Sequence, residues 1–149
     1  MSKNQIRWKN VSESDVKHDF QAFLDLYNFD VVNKQISLSL SSIQPLGIKT
    51  EAKDTSEIKK TNYSQLKDEI IFYSKSKNDD VKELIRHFKN LVSHPKNIKK
   101  ATINSAKYYR LYDYRFSPIK KDSMKGVVSV DNWRFFKKAL IELIKKTNK

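Results

Sequence analysis

The chain has no cysteine and only two glycines among its 149 residues. The absence of cysteine excludes a disulfide scaffold, a thiolate metal site, a cysteine nucleophile and a CxxC redox pair. Two glycines are too few for a glycine-rich phosphate loop, which excludes nucleotide-binding folds of the P-loop and dinucleotide types. No apolar run approaches the ~20 residues that span a bilayer. The first ten residues also lack the apolar stretch of a signal peptide, so we expect a soluble cytoplasmic protein without a membrane partner.

The net charge of +13 is confined to one half of the chain. Residues 1–80 carry 12 basic and 12 acidic side chains, whereas residues 81–149 carry 18 basic and 5 acidic ones. A uniform coding bias toward lysine would not produce this asymmetry. Clustered basic charge is typical of proteins that bind a polyanion, so we expect nucleic acid to contact the C-terminal half. The alternative is a solvated surface that has no partner.

The spacing of apolar residues predicts four helices, of which the third follows the helical template most closely. Pro95 ends this third helix, because proline disfavours helical geometry in the residue before it. The predicted helices span about residues 13–28, about residues 63–75, the stretch from Asp79 or Asp80 to His94, and the stretch from Asp131 or Asn132 onward.

The segment between the last two helices has a β-like composition. Residues 107–116 and 126–130 are rich in aromatic and β-branched side chains, which predicts a hairpin of two strands joined by a turn over 117–126. Residues 31–60 predict a short strand or a helix extension, followed by a polar loop. We therefore expect a single domain over residues 1–149 that is mainly all-α, with four to five helices and a short β-hairpin before the C-terminal helix.

The third helix carries the one group of side chains that suggests catalysis. Arg86, Asn90 and His94 follow at intervals of four residues and so share a helical stripe, with Lys89 on the neighbouring stripe. An imidazole can transfer the proton of a ribose 2′-hydroxyl or of the leaving 5′-oxygen. A cation can stabilise the charge that grows on the phosphate. An amide can hold either the histidine or the scissile phosphate in place. The alternative is that His94 only interacts with the dipole at the helix end.

The segment LIRHFKNLVSHP, which contains these residues, resembles the signature of the HEPN superfamily. In that signature an arginine and a polar residue precede a histidine; here Asn90 and His94 match the last two, and Arg86 and His87 match the residues that lead in. The later segments YYRLYDYRF, GVVSV and DNWRFFKKALIELI are similar to the strands and closing helix of small prokaryotic HEPN proteins from plasmid, phage-defence and abortive-infection systems. The resemblance covers about residues 60–149.

This resemblance implies a HEPN-like helical bundle and a homodimer with a shared groove. It also implies a metal-independent endoribonuclease, without a cofactor, that cleaves RNA by 2′-hydroxyl attack and acts as a toxin or an anti-phage defence effector. In such an enzyme His94 would be the acid and base, Lys89 and Arg86 would stabilise charge, and Asn90 would position the phosphate. An antitoxin or regulatory partner, either protein or RNA, follows from the same resemblance.

Two residues depart from the family pattern. Lys89 stands where the family has arginine, and a lysine lacks the planar fork that grips phosphate through two hydrogen bonds. Pro95 stands where the family has glycine. The alternative function is therefore a catalytically inactive HEPN module that binds RNA or a partner protein, and a DNA-binding helical module is a third possibility.

Basic and aromatic residues of the C-terminal half are the expected contacts for RNA. Tyr112 and Tyr114, if exposed, can stack single-stranded bases beside neighbouring arginines, whereas the commoner use of such rings is core packing. Three histidines without cysteine do not indicate a zinc site. The expected RNA-binding residues are His87, Lys96, Lys99, Lys100, Arg110 and Arg115.

Overall fold

A computed structural model of the protein describes residues 6–31, 38–62, 66–75, 80–116 and 119–147. Within these ranges the chain forms one six-stranded mixed sheet that carries helices on both faces. The strands are β1 (Lys9–Asn10), β2 (Lys49–Ala52), β3 (Glu69–Phe72), β4 (Ile98–Ile103), β5 (Ala106–Phe116) and β6 (Lys120–Ser129).

The helices are unequal in length, and the two longest lie in the basic half of the chain. Short 3-10 turns occupy Leu40–Ser42, Gln44–Leu46 and Pro95–Asn97, and a π-helical turn covers Tyr27–Val31. The α-helices are α1 (Glu13–Asp19), α2 (Gln21–Leu26), α3 (Thr55–Lys60), α4 (Asp80–Ser93) and α5 (Val130–Thr147). No α-helix in the described ranges is both long enough and apolar enough to cross a membrane.

The strand order β1-β4-β5-β6-β3-β2 overturns the predicted fold class. All neighbouring strands are antiparallel except β2 and β3, which run parallel. The prediction of a mainly all-α, HEPN-like bundle is therefore wrong, because a mixed sheet forms the centre of the domain. The predicted β-hairpin is confirmed as β5 and β6, but it is the middle of this sheet and not an appendage to a bundle.

One face of the sheet packs against α1, α2, α4 and α5 and forms the main core. Aromatic rings dominate it: the centroid of the Phe88 ring lies 4.8 Å from that of Phe23 and 5.1 Å from that of Trp133. Phe20 and Phe136 are equally buried beside them. Burial of such rings contributes most of the stability of a domain this size, at roughly 25 cal/mol for each Å² of apolar surface removed from water.

The opposite face of the sheet is only partly covered. Helix α3 packs there against β3 and β6 and buries Ile58, Ile71 and Val127, which lie outside the main core. The Lys125 ammonium donates hydrogen bonds to the carbonyl oxygens of Lys59 and Thr61, at 3.1 and 2.9 Å, and so fixes the end of α3 to β6. Helix α3 thus covers one side of this face.

Asp19 joins three elements of the helical face at one buried carboxylate. It accepts hydrogen bonds from the Tyr109 hydroxyl on β5 and from the Arg134 guanidinium on α5, at 2.9 and 3.2 Å for the latter. Burial opposes the charge of Asp19, but the hydrogen bonds from Arg134 and Tyr109 and the positive charges of Arg134 and Lys137 outweigh it and lower the pKa of Asp19. Burial and the hydrogen bond to Asp19 raise the pKa of Tyr109.

The first predicted helix is confirmed in place but is divided at Phe20. The Trp133 indole donates to the carbonyl oxygen of Asp19 at 2.7 Å, and the Lys137 ammonium donates to that of His18 at 2.6 Å. These α5 side chains satisfy carbonyl oxygens that lack a partner at the end of a helix, so α1 stops at Asp19 and α2 begins at Gln21.

The predictions for α4 and α5 are confirmed, and the helix predicted over residues 63–75 is wrong. Residues 63–65 lie outside the described ranges, and the stretch after them forms strand β3. Ile70, Ile71 and Phe72 are all buried, because β3 lies between two other strands and is covered on both faces. A short apolar run of this kind does not distinguish a buried strand from a buried helix by its spacing.

The predicted polar loop and the predicted turn also differ from the structure. The loop region contains β2 and α3, and residues 32–37, where a strand or helix extension was one expectation, lie outside the described ranges. Gly126 lies inside β6 rather than in a turn. A Cβ atom at Gly126 would come within 2.8 Å of the Ile70 side chain, so the glycine permits the close approach of β3 to β6.

Replacement of Asp19 by asparagine should cost about 2 kcal/mol of unfolding free energy at neutral pH, because the buried carboxylate loses the charge that strengthens its hydrogen bonds from Tyr109 and Arg134. A lowered pKa in the folded protein stabilises it above the unfolded-state pKa, and this contribution is lost as the pH falls through the folded-state value. The difference between the natural protein and Asp19→Asn in urea denaturation should therefore shrink below about pH 4. Equal stability of the two proteins at pH 7 would contradict this assignment.

Candidate nucleic-acid interface

Strand β5 presents two different sets of side chains to the two faces of the sheet. Tyr109, Leu111 and Asp113 point into the helical face and are buried. Tyr108, Arg110 and Tyr112 alternate with them and therefore point to the other face, where each remains partly exposed. Partial exposure shows that α3, which covers β3 and β6, leaves the β5 side of this face accessible to a ligand.

Neighbouring strands extend this accessible surface with further basic and aromatic groups. Lys99 on β4 lies opposite Arg110 in the strand register, and its ammonium donates to the Asn10 side chain. The Arg110 guanidinium lies 5.3 Å from the centre of the Trp8 ring. We call this surface the open face; it comprises Trp8, Lys99, Tyr108, Arg110, Tyr112, Tyr114 and Lys120.

The far end of the open face holds two tyrosine rings beneath a lysine. The ring centroids of Tyr112 and Tyr114 are 5.9 Å apart, and the Lys120 ammonium lies 5.7 and 4.6 Å from them, respectively. Tyr112 and Tyr114 are two residues apart on β5 and therefore lie on the same side of the strand. The β5–β6 register shifts between Asp113 and Tyr114, which leaves Ser123 as an extra residue on β6 and places Asp122 opposite Tyr114. Two adjacent rings with a nearby cation form a suitable surface for stacked bases and their phosphates.

A groove of about 490 Å³ opens beside Tyr112, between α3 and the end of the β5–β6 hairpin. Asp122 accepts a hydrogen bond from the Tyr112 hydroxyl at 2.6 Å, and the Lys125 ammonium lies 3.6 Å from the same carboxylate. Burial and this hydrogen bond raise the pKa of Tyr112. The groove is lined by Thr55, Ser56, Lys59, Tyr112, Ile119, Lys120, Lys121 and Asp122.

The four residues predicted to be catalytic contact different parts of the structure. Arg86 donates to Glu83 at 2.6 Å, one helical turn away on α4. The Lys89 ammonium lies 4.9 Å from the centre of the Tyr27 ring. Asn90 donates to Asp113, and His94 is exposed where α4 ends. The motif residues of α4 thus contact several other elements, and a catalytic role for them stays a prediction.

His87, predicted to bind RNA, is buried in a hydrogen-bond network. Its Nδ1 atom lies 2.8 Å from Asp113 Oδ2, and its Nε2 atom lies 2.9 Å from the Tyr73 carbonyl oxygen. Asn90 donates to the same Asp113 oxygen at 3.1 Å. Both ring nitrogens of His87 therefore face oxygen atoms. This network fastens α4 to β5 and to the residue after β3, which is a structural role.

The other predicted RNA-binding residues divide between the two faces. Lys99 and Arg110 lie on the open face, whereas Lys100 points to the opposite side and pairs with Asp15 at 3.0 Å. The Arg115 guanidinium lies 5.2 Å from the Tyr73 ring. Lys96 is exposed in the 3-10 turn after α4. The structure therefore brings two of the six together on one surface.

The sequence patterns did not indicate several residues of the open face and its groove, among them Tyr108, Trp8, Lys120 and Asp122. The last three lie far along the chain from Arg110 or outside the strand predicted there, and the sheet brings them to the same surface. The alternation of β5 was the available signal, since it separates Tyr108 and Arg110 from the buried side chains between them. Within the described ranges no three His, Asp or Glu side chains form a group able to hold a metal ion.

Comparisons of the chain with protein-family models, with curated proteins and with solved structures gave no match. Membership of the HEPN superfamily therefore stays a prediction from the motif in α4.

The buried His87 of α4 and the exposed His94 that follows this helix should differ sharply in their effect on stability. His87→Ala leaves the buried Asp113 carboxylate without its closest partner and should lower the unfolding free energy by about 3 kcal/mol. His94→Ala removes an exposed side chain and should change it by less than about 0.5 kcal/mol. Urea denaturation of the two variants measures both values, and a small effect of His87→Ala would contradict the network.

Proposed function

We propose that the protein binds single-stranded nucleic acid on the open face of its sheet. The observation that carries the proposal is the composition of β5, whose four partly exposed side chains on that face are Tyr108, Arg110, Tyr112 and Tyr114. Together they offer ring faces for bases and cations for phosphates.

The chemistry of the open face fits an unpaired strand better than a duplex. Every base has a π-face that can stack on an aromatic ring, but the faces are accessible only when the bases are not stacked in a helix. Tyr108, Tyr112 and Tyr114 supply rings along one strand, and Arg110 and Lys120 supply charge beside them. In the described part of the chain, the α-helix on this face of the sheet is the short α3, and no long helix stands there to enter a major groove.

The distribution of charge supports a polyanionic ligand. Strands β4, β5 and β6 all belong to the half of the chain that carries the entire net charge of +13. Neutralised phosphates release counterions, so binding should weaken steeply with salt. We expect RNA in the cytoplasm to be the ligand, and a comparison of RNA with DNA strands tests this choice.

Substitutions on the open face should weaken binding, and one on the helical side should not. Arg110→Gln should weaken binding of a labelled 12-nucleotide strand several-fold and reduce the salt slope by about 0.7, because one phosphate contact is lost. Tyr108→Leu should cost about 1–3 kcal/mol of binding energy through the loss of one stacked base. Fluorescence anisotropy over a salt series measures both effects, with RNA, DNA and duplex as ligands.

Lys138→Gln is the matched control, because it removes one positive charge from an exposed position on α5. Equal weakening by Lys138→Gln and Arg110→Gln would show that only the overall charge matters. Absence of binding to any strand, or a preference for a partner protein, would refute the proposal.

Metal-independent ribonuclease activity is a second candidate, favoured by the position of His94. This exposed histidine lies directly before the turn that leads into β4, and β4 carries Lys99 on the open face. If the protein cleaves RNA, the natural protein should do so in excess EDTA and leave 2′,3′-cyclic phosphate ends. His94→Ala should abolish this cleavage while binding persists, whereas cleavage by His94→Ala would assign the activity to another residue.

The biological role that follows from the motif stays a prediction. A toxin or anti-phage function, a homodimer and an antitoxin or regulatory partner are all compatible with a protein that binds RNA. Oligomeric state in solution and toxicity on expression of the natural protein beside His94→Ala test these predictions directly.

A further inference from the structure

The groove beside Tyr112 contains a carboxylate on a surface that otherwise suits a polyanion. Its lining includes Lys59, Lys120 and Lys121, and Asp122 is the only acidic residue among the described residues that line it. A carboxylate repels phosphate, so it does not serve the same contact as the lysines. An acceptor in this position is suited to a donor group of the ligand.

The groove also offers apolar surface for a base. Ile119 lies at its edge with 63% of its surface exposed, and the Tyr112 ring forms part of the wall. A large exposed aliphatic side chain beside an aromatic ring gives a flat ligand two apolar surfaces. A volume of about 490 Å³ is ample for one nucleotide.

Asp122 keeps the capacity to bind a ligand after its internal contacts are made. The Tyr112 hydroxyl donates one hydrogen bond to its Oδ1 atom, whereas a carboxylate has about four lone-pair sites. The Lys125 ammonium forms an ion pair with Oδ2 at 3.6 Å, and it donates hydrogen bonds to the carbonyl oxygens at the end of α3. The Tyr112 bond fixes the orientation of the carboxylate, which lowers the entropy cost of binding.

We infer that this groove holds one base of the bound strand and that Asp122 selects guanine. Guanine presents two parallel donors on its Watson–Crick edge, the N1–H and the N2 amino group, which match the two oxygens of a carboxylate. Adenine and cytosine offer a single amino group on that edge, next to a ring acceptor. Uracil and thymine place carbonyl oxygens on both sides of their one N–H, so they meet the carboxylate with repulsion.

The inference rests on the proposed function, since it places one base of the strand that the open face binds. The lysines of the groove supply the phosphate contacts on either side of that base. The selected guanine would therefore lie at one end of the binding site, next to α3. The rest of the nucleic acid would lie along β5, where no base is selected.

The test uses eight-nucleotide strands of uridine that carry one central guanine, inosine, adenine, cytosine or uracil. The natural protein should bind the guanine strand about tenfold more tightly than the uridine strand, because a bidentate contact discriminates by that order. Inosine lacks only the N2 amino group and should fall between them. Asp122→Asn should bring the guanine strand within about twofold of the uridine strand without weakening the binding of uridine.

Asp131→Asn is the matched control, since it removes one exposed acidic charge from α5 and should preserve the guanine preference. Equal affinity of the natural protein for all five strands, or a guanine preference that persists in Asp122→Asn, would overturn the selection of guanine while binding itself stands. Failure to bind any strand would refute the proposed function and this inference with it. The guanine–inosine comparison needs no variant, so it holds even if Asp122→Asn fails to fold.

Discussion

The alternation of side chains along β5 is the constraint on which the rest of the structure depends. A strand has a period of two, so every second residue must suit one face and the intervening residues must suit the other. Tyr109 and Leu111 enter the aromatic core beneath the helices, which leaves Tyr108 and Arg110 with only the opposite face to occupy. A shift of one residue in register would bury Arg110 and expose Tyr109. The stability of the core therefore determines which side chains of β5 lie on the open face.

This arrangement also holds the candidate interface rigid. Tyr109 is fixed by its hydrogen bond to Asp19, which in turn pairs with Arg134, so β5 is connected to α1 and α5. Toward the other end of β5, the Asp113 carboxylate is hydrogen-bonded to His87 and Asn90 of α4. Side chains on a strand held in this way lose little conformational entropy when a ligand binds. More of the energy of their contacts therefore contributes to affinity. The buried network and the open face are two uses of one strand.

The sequence predicted those elements whose pattern is local, and it failed where pairing over long distances decides the structure. Helices α4 and α5 and the β5–β6 hairpin follow from apolar spacing and turn residues within each segment. Strand β3 was mistaken for a helix because its burial depends on β2 and β6, which no local pattern shows. Arg110, Lys99 and the tyrosines could be found by composition, but Trp8 and Asp122 join them only through the sheet register. The motif in α4 predicted a bundle that the sheet excludes.

The two tryptophans of the chain allow the most direct test of which surface binds the nucleic acid strand. Trp8 lies against Arg110 at the open face, and Trp133 lies in the core on the other side of the sheet. When the ¹⁵N-labelled protein is titrated with a short single strand, we predict that the indole N–H resonance of Trp8 shifts and that the resonance of Trp133 does not. A fixed Trp8 signal, with shifts confined to the exposed side of α5, would contradict the assignment of the open face as the binding surface.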